Sequence, residues 1–181
     1  MAAKAEEAKM NTEAAAAPQM TVSAGIQVLL FVVVAIAIWI VLTMVLKIHA
    51  GFAGYLILWY WTTVERADFA RLPFVVVGGL VGVALAWQLS FLVAHYGMAG
   101  LAVALIVIMA AVFVQIMQTG GLFINNSTMM FLTVLTAPQM AGVHVTDAIA
   151  AVALGTVYFG AIVYGAQAYV ARRTRPKLHA A

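Results

Sequence analysis

From Ile26 to Leu46 the chain runs 21 residues without a charged side chain. That run fixes the environment in which the chain must fold. A stretch of about 20 apolar residues is what a helix needs to cross the hydrocarbon core of a bilayer, and backbone amides in lipid must be satisfied within the segment itself. The run is also too long, and lacks the small-residue cleavage pattern, for a secretory signal. Further apolar runs extend from Phe74 to about Val93, from Met98 to Met117 and from Ala148 to Val170. Two shorter ones occur, Ala50 to Val64 and the segment between Gly121 and Pro138. Hydrophobic residues make up 66% of the sequence and charged ones 8%, against roughly 45–50% and 25% in soluble domains. These proportions exclude an ordinary soluble fold. The expected architecture is an all-α, polytopic membrane bundle of about six transmembrane helices, since a larger number of ~20-residue spans does not fit the chain.

The expected organisation is a cytoplasmic N-terminal tail over 1–24, a single transmembrane domain over 25–171 and a basic cytoplasmic tail over 172–181. Six spans bring both ends to one side. With the termini inside, Lys4, Lys9, Arg66, Arg71, Arg172, Arg173, Arg175 and Lys177 all lie on the inner side, and Lys47 alone lies outside. Retention of Lys and Arg on the cytoplasmic side therefore assigns a bacterial inner (plasma) membrane protein with N- and C-termini in the cytoplasm. The pI near 9.4 is explained by these helix-end charges, so no nucleic-acid partner is implied.

The second and fifth runs are the short ones, and they hold equivalent positions if the chain is divided into spans one to three and four to six. Three spans per half invert one half relative to the other. Short segments at matching positions in inverted halves point to a central site in many transporters, so a 3+3 inverted repeat is expected. Small residues recur at Gly78, Gly79 and Gly82 in the third span and at Gly155, Gly160 and Gly165 in the sixth. In lipid such stripes let backbones approach, within a bundle, between copies in a homo-oligomer or against a membrane partner.

Asn125, Asn126, Ser127 and Thr128 put four consecutive hydrogen-bonding side chains inside the fifth apolar run. Unpaired, such groups are costly in hydrocarbon. Neighbours on a helix point about 100° apart, so the four cannot share one face of a regular helix. The segment is therefore expected to begin with irregular, re-entrant backbone after Gly120 and Gly121, with Asn125 or Asn126 capping a half-helix. Gln115 lies at a similar inner-half depth. Thr62 and Thr63 end the second run nearby, and the Trp59, Tyr60 and Trp61 aromatics before them favour the membrane interface.

Two readings fit this polar set. Gln115, Asn125, Asn126, Ser127 and Thr128 either line a path for a small neutral solute, or they join helices by hydrogen bonds worth about 1 kcal/mol or less each. No Asp, Glu, Lys or Arg lies within a span, which weighs against an ion-coupled pump. A weaker candidate is an outer-face metal site formed by His49, His95, His144 and Asp147, four residues drawn from different loops with no paired histidine spacing. No cysteine is present, and Ser127 lacks a nucleophile-elbow context. The sequence implies neither an enzyme nor a cofactor.

Gly51-Phe52-Ala53-Gly54-Tyr55 opening the second span, the stretch from Gly78 to Ala86-Trp87, and Val114-Gln115-Ile116 leading through Gly121 into the short fifth segment resemble the domain-of-unknown-function 1097 family of small bacterial inner-membrane proteins. The resemblance implies a compact multi-helix membrane protein and adds no activity. The chain departs from the family pattern at Asn125-Asn126-Ser127-Thr128, where small residues are more usual, and in its long N-terminal tail. The expectation is a channel or facilitator for a small uncharged polar solute; the alternative is a non-transporting subunit that packs against partner helices or itself.

Overall fold

The computed structural model describes residues 22–137, 140 and 142–174. The N-terminal tail up to residue 21, Pro138 and the tail from Arg175 onward lie outside the described residues. All regular structure among the described residues is helical. The elements are α1 (Val22–Val45), α2 (Phe52–Thr63), α3 (Leu72–Ile116), α4 (Asn126–Leu135) and α5 (Val145–Thr174). Three of them, α1, α3 and α5, are long and apolar enough to cross a membrane. The chain divides into two compact units, Met1–Leu42 and Thr43–Ala181; the first contributes most of α1, and α2 to α5 belong to the second.

The third and fourth runs of the sequence form two helical arms that follow one another as α3 and meet at a sharp break at Gly97, in the stretch 94–97 that separates the two runs. The 45 residues of α3 would measure about 68 Å if straight, more than twice the ~30 Å hydrocarbon core. It is not straight. Gly97 sits at φ 56, ψ −131, a conformation that L side chains rarely adopt. A Cβ on Gly100 would collide with the Leu92 carbonyl, whereas eight residues along a straight helix separate two positions by about 12 Å. The chain thus folds back at Gly97 into a first arm, 72–96, and a second arm, 98–116. Pro73 falls in the first turn of α3, where its missing N–H costs nothing.

The two shorter runs become the two short helices. With 12 residues in α2 and 10 in α4, they are about 18 and 15 Å long, roughly half a bilayer core. Each is entered through the same backbone device. Lys47 and Gln118 both adopt φ 54. Lys47 N–H donates to Met44 O (3.1 Å) and Ile48 N–H to Thr43 O (2.9 Å); Gln118 N–H donates to Gln115 O (3.0 Å) and Thr119 N–H to Val114 O (3.3 Å). This pair of bonds closing on a left-handed residue is the Schellman turn that ends helices. The fourth run therefore stops at Gln118, directly after Met117, where the sequence places its end.

Both short helices leave through matching turns as well. Asp68 N–H bonds Glu65 O and Arg71 N–H bonds Asp68 O; Met140 N–H bonds Ala137 O and Val143 N–H bonds Met140 O. Val75 N–H then reaches Arg71 O, and Ala148 N–H reaches His144 O. Each bond recurs 71–73 residues later.

Packing is reciprocal too. A Cβ on Gly82, in the first arm of α3, would lie 2.5 Å from Thr128 O and 3.1 Å from Leu132 N of α4. On Gly155 of α5 it would lie 2.6 Å from Gly54 Cα of α2. Glycine at these two positions lets each short helix press backbone to backbone on a long one. Gly78 and Gly79 complete the seat of α4 against Asn125 and Phe131, while Gly165 faces open space. Phe131, Ile57, Trp61, Val75, Val83 and Val152 fill the shared core. Of the three aromatics read as interfacial, only Trp59 is exposed; Tyr60 and Trp61 are buried. The Trp61 indole N–H donates to Asp68 O at 2.7 Å, satisfying its one polar atom inside the protein.

Candidate functional site

The polar tetrad straddles the start of α4, and the irregular entry expected there is present. Asn125 is the N-cap, extended at φ −145, ψ −176. Its Oδ1 accepts from Ser127 N–H at 2.9 Å and Thr128 N–H at 3.4 Å, while Thr128 Oγ1 accepts from Asn125 N–H at 3.2 Å. This reciprocal capping box satisfies N–H groups that a helix start leaves unpaired. The remaining donors reach backward and sideways. Asn125 Nδ2 donates to Phe74 O (2.9 Å) and Leu122 O (3.2 Å), Ser127 Oγ to Val75 O (2.8 Å), and Thr128 Oγ1 to Phe123 O (3.0 Å). Asn125 and Ser127 thus pin α4 to the first turns of α3.

Ser127 and Thr128 are completely buried. Among the described residues, no buried side-chain nitrogen or oxygen is left without a partner. Three members of the tetrad therefore build the backbone, and Asn126 alone turns outward, as helical geometry requires of at least one. Its Oδ1 accepts from Gln115 Nε2 at 2.5 Å. Thr62 and Thr63 do not join this set, because their hydroxyls donate to Leu58 O and Trp59 O one turn back.

Gln115, Asn125 and Asn126 line a cleft of about 260 Å³ with Tyr60, Glu65, Arg71, Phe74, Val75, Gln118, Gly121 and Ile124. Sequence reading missed Tyr60, Glu65, Arg71 and Gln118. Glu65 and Arg71 belong to the loop between α2 and α3. Consecutive left-handed residues, Arg66 (φ 52) and Ala67 (φ 57), fold that loop back under the helices. No periodicity signals such a turn in advance, and neither residue is a glycine. Glu65 is half-buried, and Arg71 lies over the Phe74 ring at 5.5 Å.

A second cleft, of about 230 Å³, opens further along α3 among Ala86, Trp87, Ser90, Leu135, Val143 and His144. Between the two clefts sit Gly79, Gly82 and fully buried Phe131. The residues that bound the clefts on α3, Val75 and Val83, are eight positions apart, about 12 Å along a helix.

The four residues of the outer-face metal candidate are partly dispersed. His49 Nδ1 lies 3.0 Å from Asp147 Oδ2, and His49 N–H donates to the same oxygen at 3.3 Å. Asp147 N–H bonds His144 O. His95 Nδ1 lies 2.9 Å from Phe91 O, with its ring against Phe91. Among the described residues no three His, Cys, Asp or Glu side chains group as metal ligands do.

Together, long apolar helices, a short capped helix seated on α3 and a cleft at each of its ends define a helical membrane protein. No protein-family model, curated protein or solved structure matches the chain.

Proposed function

We propose that this chain is a multi-pass inner-membrane protein that conducts a small, uncharged polar solute, with Gln115 and Asn126 as the polar groups of its inner entrance. The observation that carries this reading is α4: half a bilayer long, entered through irregular backbone, and flanked by a cleft at each end. Irregular backbone at membrane depth is tolerated where it is buried in protein or lines a cavity. Six crossings result when the two arms of α3 cross separately and α2 and α4 cross as short segments. The halves 22–96 and 98–174 then share a long–short–long order. Turn hydrogen bonds recurring at 71–73 residues support an inverted 3+3 arrangement, the kind that frames midplane sites in transporters. Eight Lys and Arg against one support termini in the cytoplasm. Passage from one cleft to the other runs past Phe131, whose ring must swing aside.

Osmotic flux of urea and glycerol into proteoliposomes tests the reading. Flux above that of empty vesicles is expected, falling when Asn126→Leu and Gln115→Leu remove the entrance amides. Unchanged flux in both variants removes these residues from the path; no flux in the parent protein removes the path.

One observation favours a second reading. Phe131 is fully buried between the clefts, so the path is closed as it stands. A membrane subunit that packs against partner helices or its own copies has no need of an opening, and Gly165 offers an uncovered small residue on α5. Mass measurement in detergent with crosslinking at Gly165 decides: a solitary monomer excludes it.

A further inference from the structure

Resting on the reading of the inner cleft as a solute entrance, we propose that its ligand is a small zwitterion: net-neutral, with an ammonium group held at Glu65 and a carboxylate held at Arg71. Both side chains line the one cleft, yet they do not pair with each other. Among the described residues the ion pair present is His49 with Asp147. Here the Arg66-Ala67 left-handed turn follows Glu65, and the Arg71 guanidinium is held over Phe74. The half-buried Glu65 carboxylate lies within electrostatic reach of Tyr60, whose hydroxyl bonds Asn126, and has no hydrogen-bond partner among the described residues.

The helix terminus beside the cleft is no rival for the carboxylate. The capping box already takes up the N–H groups of Asn125, Ser127 and Thr128, which leaves Arg71 as the anion's charged partner and its forked donors as the matching geometry. A polyol would leave both charges unanswered, and a simple amine or acid would leave one. Gln115, Gln118 and Asn126 line the same cleft, and the amide atoms left over from the Gln115–Asn126 and Gln118–Gln115 bonds are there for a further polar group. The volume, about 260 Å³, lies below the ~300 Å³ lower end of drug-sized pockets, so the ligand has only a handful of heavy atoms.

Equilibrium binding of L-alanine to the full chain in nanodiscs, with n-propylamine, propionate and glycerol as probes of similar size, tests the assignment. Saturable alanine binding is expected, with each single-charge or neutral probe weaker by at least about tenfold. Glu65→Gln and Arg71→Gln should each weaken alanine by a similar factor, while Glu65→Asp and Arg71→Lys retain part of the affinity. Unchanged size-exclusion profiles and circular dichroism show that the variants fold. Alanine binding that is absent, matched by glycerol, or indifferent to both substitutions overturns the proposal. Glycerol flux without alanine binding leaves the conduction reading standing and removes the zwitterion. Alanine binding without transport of alanine or glycerol upholds the site and removes conduction.

Discussion

The entries to the two short helices have the same backbone and different chemistry. Before α2, Lys47 closes a Schellman turn and His49 ties the approach to Asp147 in the first turn of α5. Before α4, Gln118 closes the same turn and Asn125 ties the approach to Phe74 in the first turn of α3. Phe74 and Asp147 are themselves 73 positions apart. One tie is a histidine–carboxylate pair with a His49 side chain 86% exposed; the other is a network of neutral groups, with Ser127 and Thr128 fully buried. Backbone geometry thus repeats where residue identity does not, and the second entry brings the amide side chains of Gln118, Asn125 and Asn126 to a cleft.

The reciprocal seats offer the strongest way to break this comparison. Gly82→Ala and Gly155→Ala each gain up to about 1 kcal/mol of helix propensity. Each also drives a methyl into backbone, at 2.5 Å from Thr128 O and 2.6 Å from Gly54 Cα, and such overpacking costs about 1–3 kcal/mol. Sterics should win in both. The expected result is a lower unfolding midpoint in detergent for both variants, while Gly165→Ala, which meets nothing within 4 Å, is unchanged or slightly stabilised. A loss at one seat only would end the equivalence of the halves.

The ties should respond unequally. Asn125→Ala removes an N-cap and a hydrogen bond to another helix, about 1–2 kcal/mol together. His49→Ala removes an exposed ion pair, and such pairs contribute little. Thermal scans should show a clear fall for Asn125→Ala and none beyond error for His49→Ala. Equal falls would mean that the His49–Asp147 tie carries as much of the fold as the Asn125 tie.

Hydropathy made the long helices legible, because lipid allows a spanning segment few alternatives to a helix. The tetrad's conflict with a single helical face likewise exposed the irregular start of α4 and required that one member turn elsewhere, without saying that it would be Asn126. The roles of its other members stayed hidden, since Asn125 and Ser127 bond to carbonyls at Phe74 and Val75 some fifty residues away. Glu65 and Arg71 read as an ordinary charged loop. Their place in the cleft depends on left-handed Arg66 and Ala67, and nothing in those residue types announces that conformation. The break between the two arms of α3 was legible, because Ala94-His95-Tyr96-Gly97 interrupts the apolar run and Gly97 is the residue that adopts the left-handed conformation.

The smallest effect expected is a gain. Lys47 and Gln118 both hold φ 54, a region that costs a residue with a Cβ about 1–2 kcal/mol and glycine almost nothing. Glycine at the same point raises the entropy of the unfolded chain, which offsets part of that relief. Lys47→Gly and Gln118→Gly should therefore each stabilise by about 0.5–1 kcal/mol, read as a raised midpoint in detergent. If the two turns are equivalent, the gains match. Gln118 differs in lining the inner cleft and in donating from Nε2 to Gln115 O at 2.8 Å, so its variant gives up that bond and should gain slightly less than Lys47→Gly. A stabilisation confined to Gln118→Gly would reverse that order and show that the matching dihedral angles conceal unequal strain.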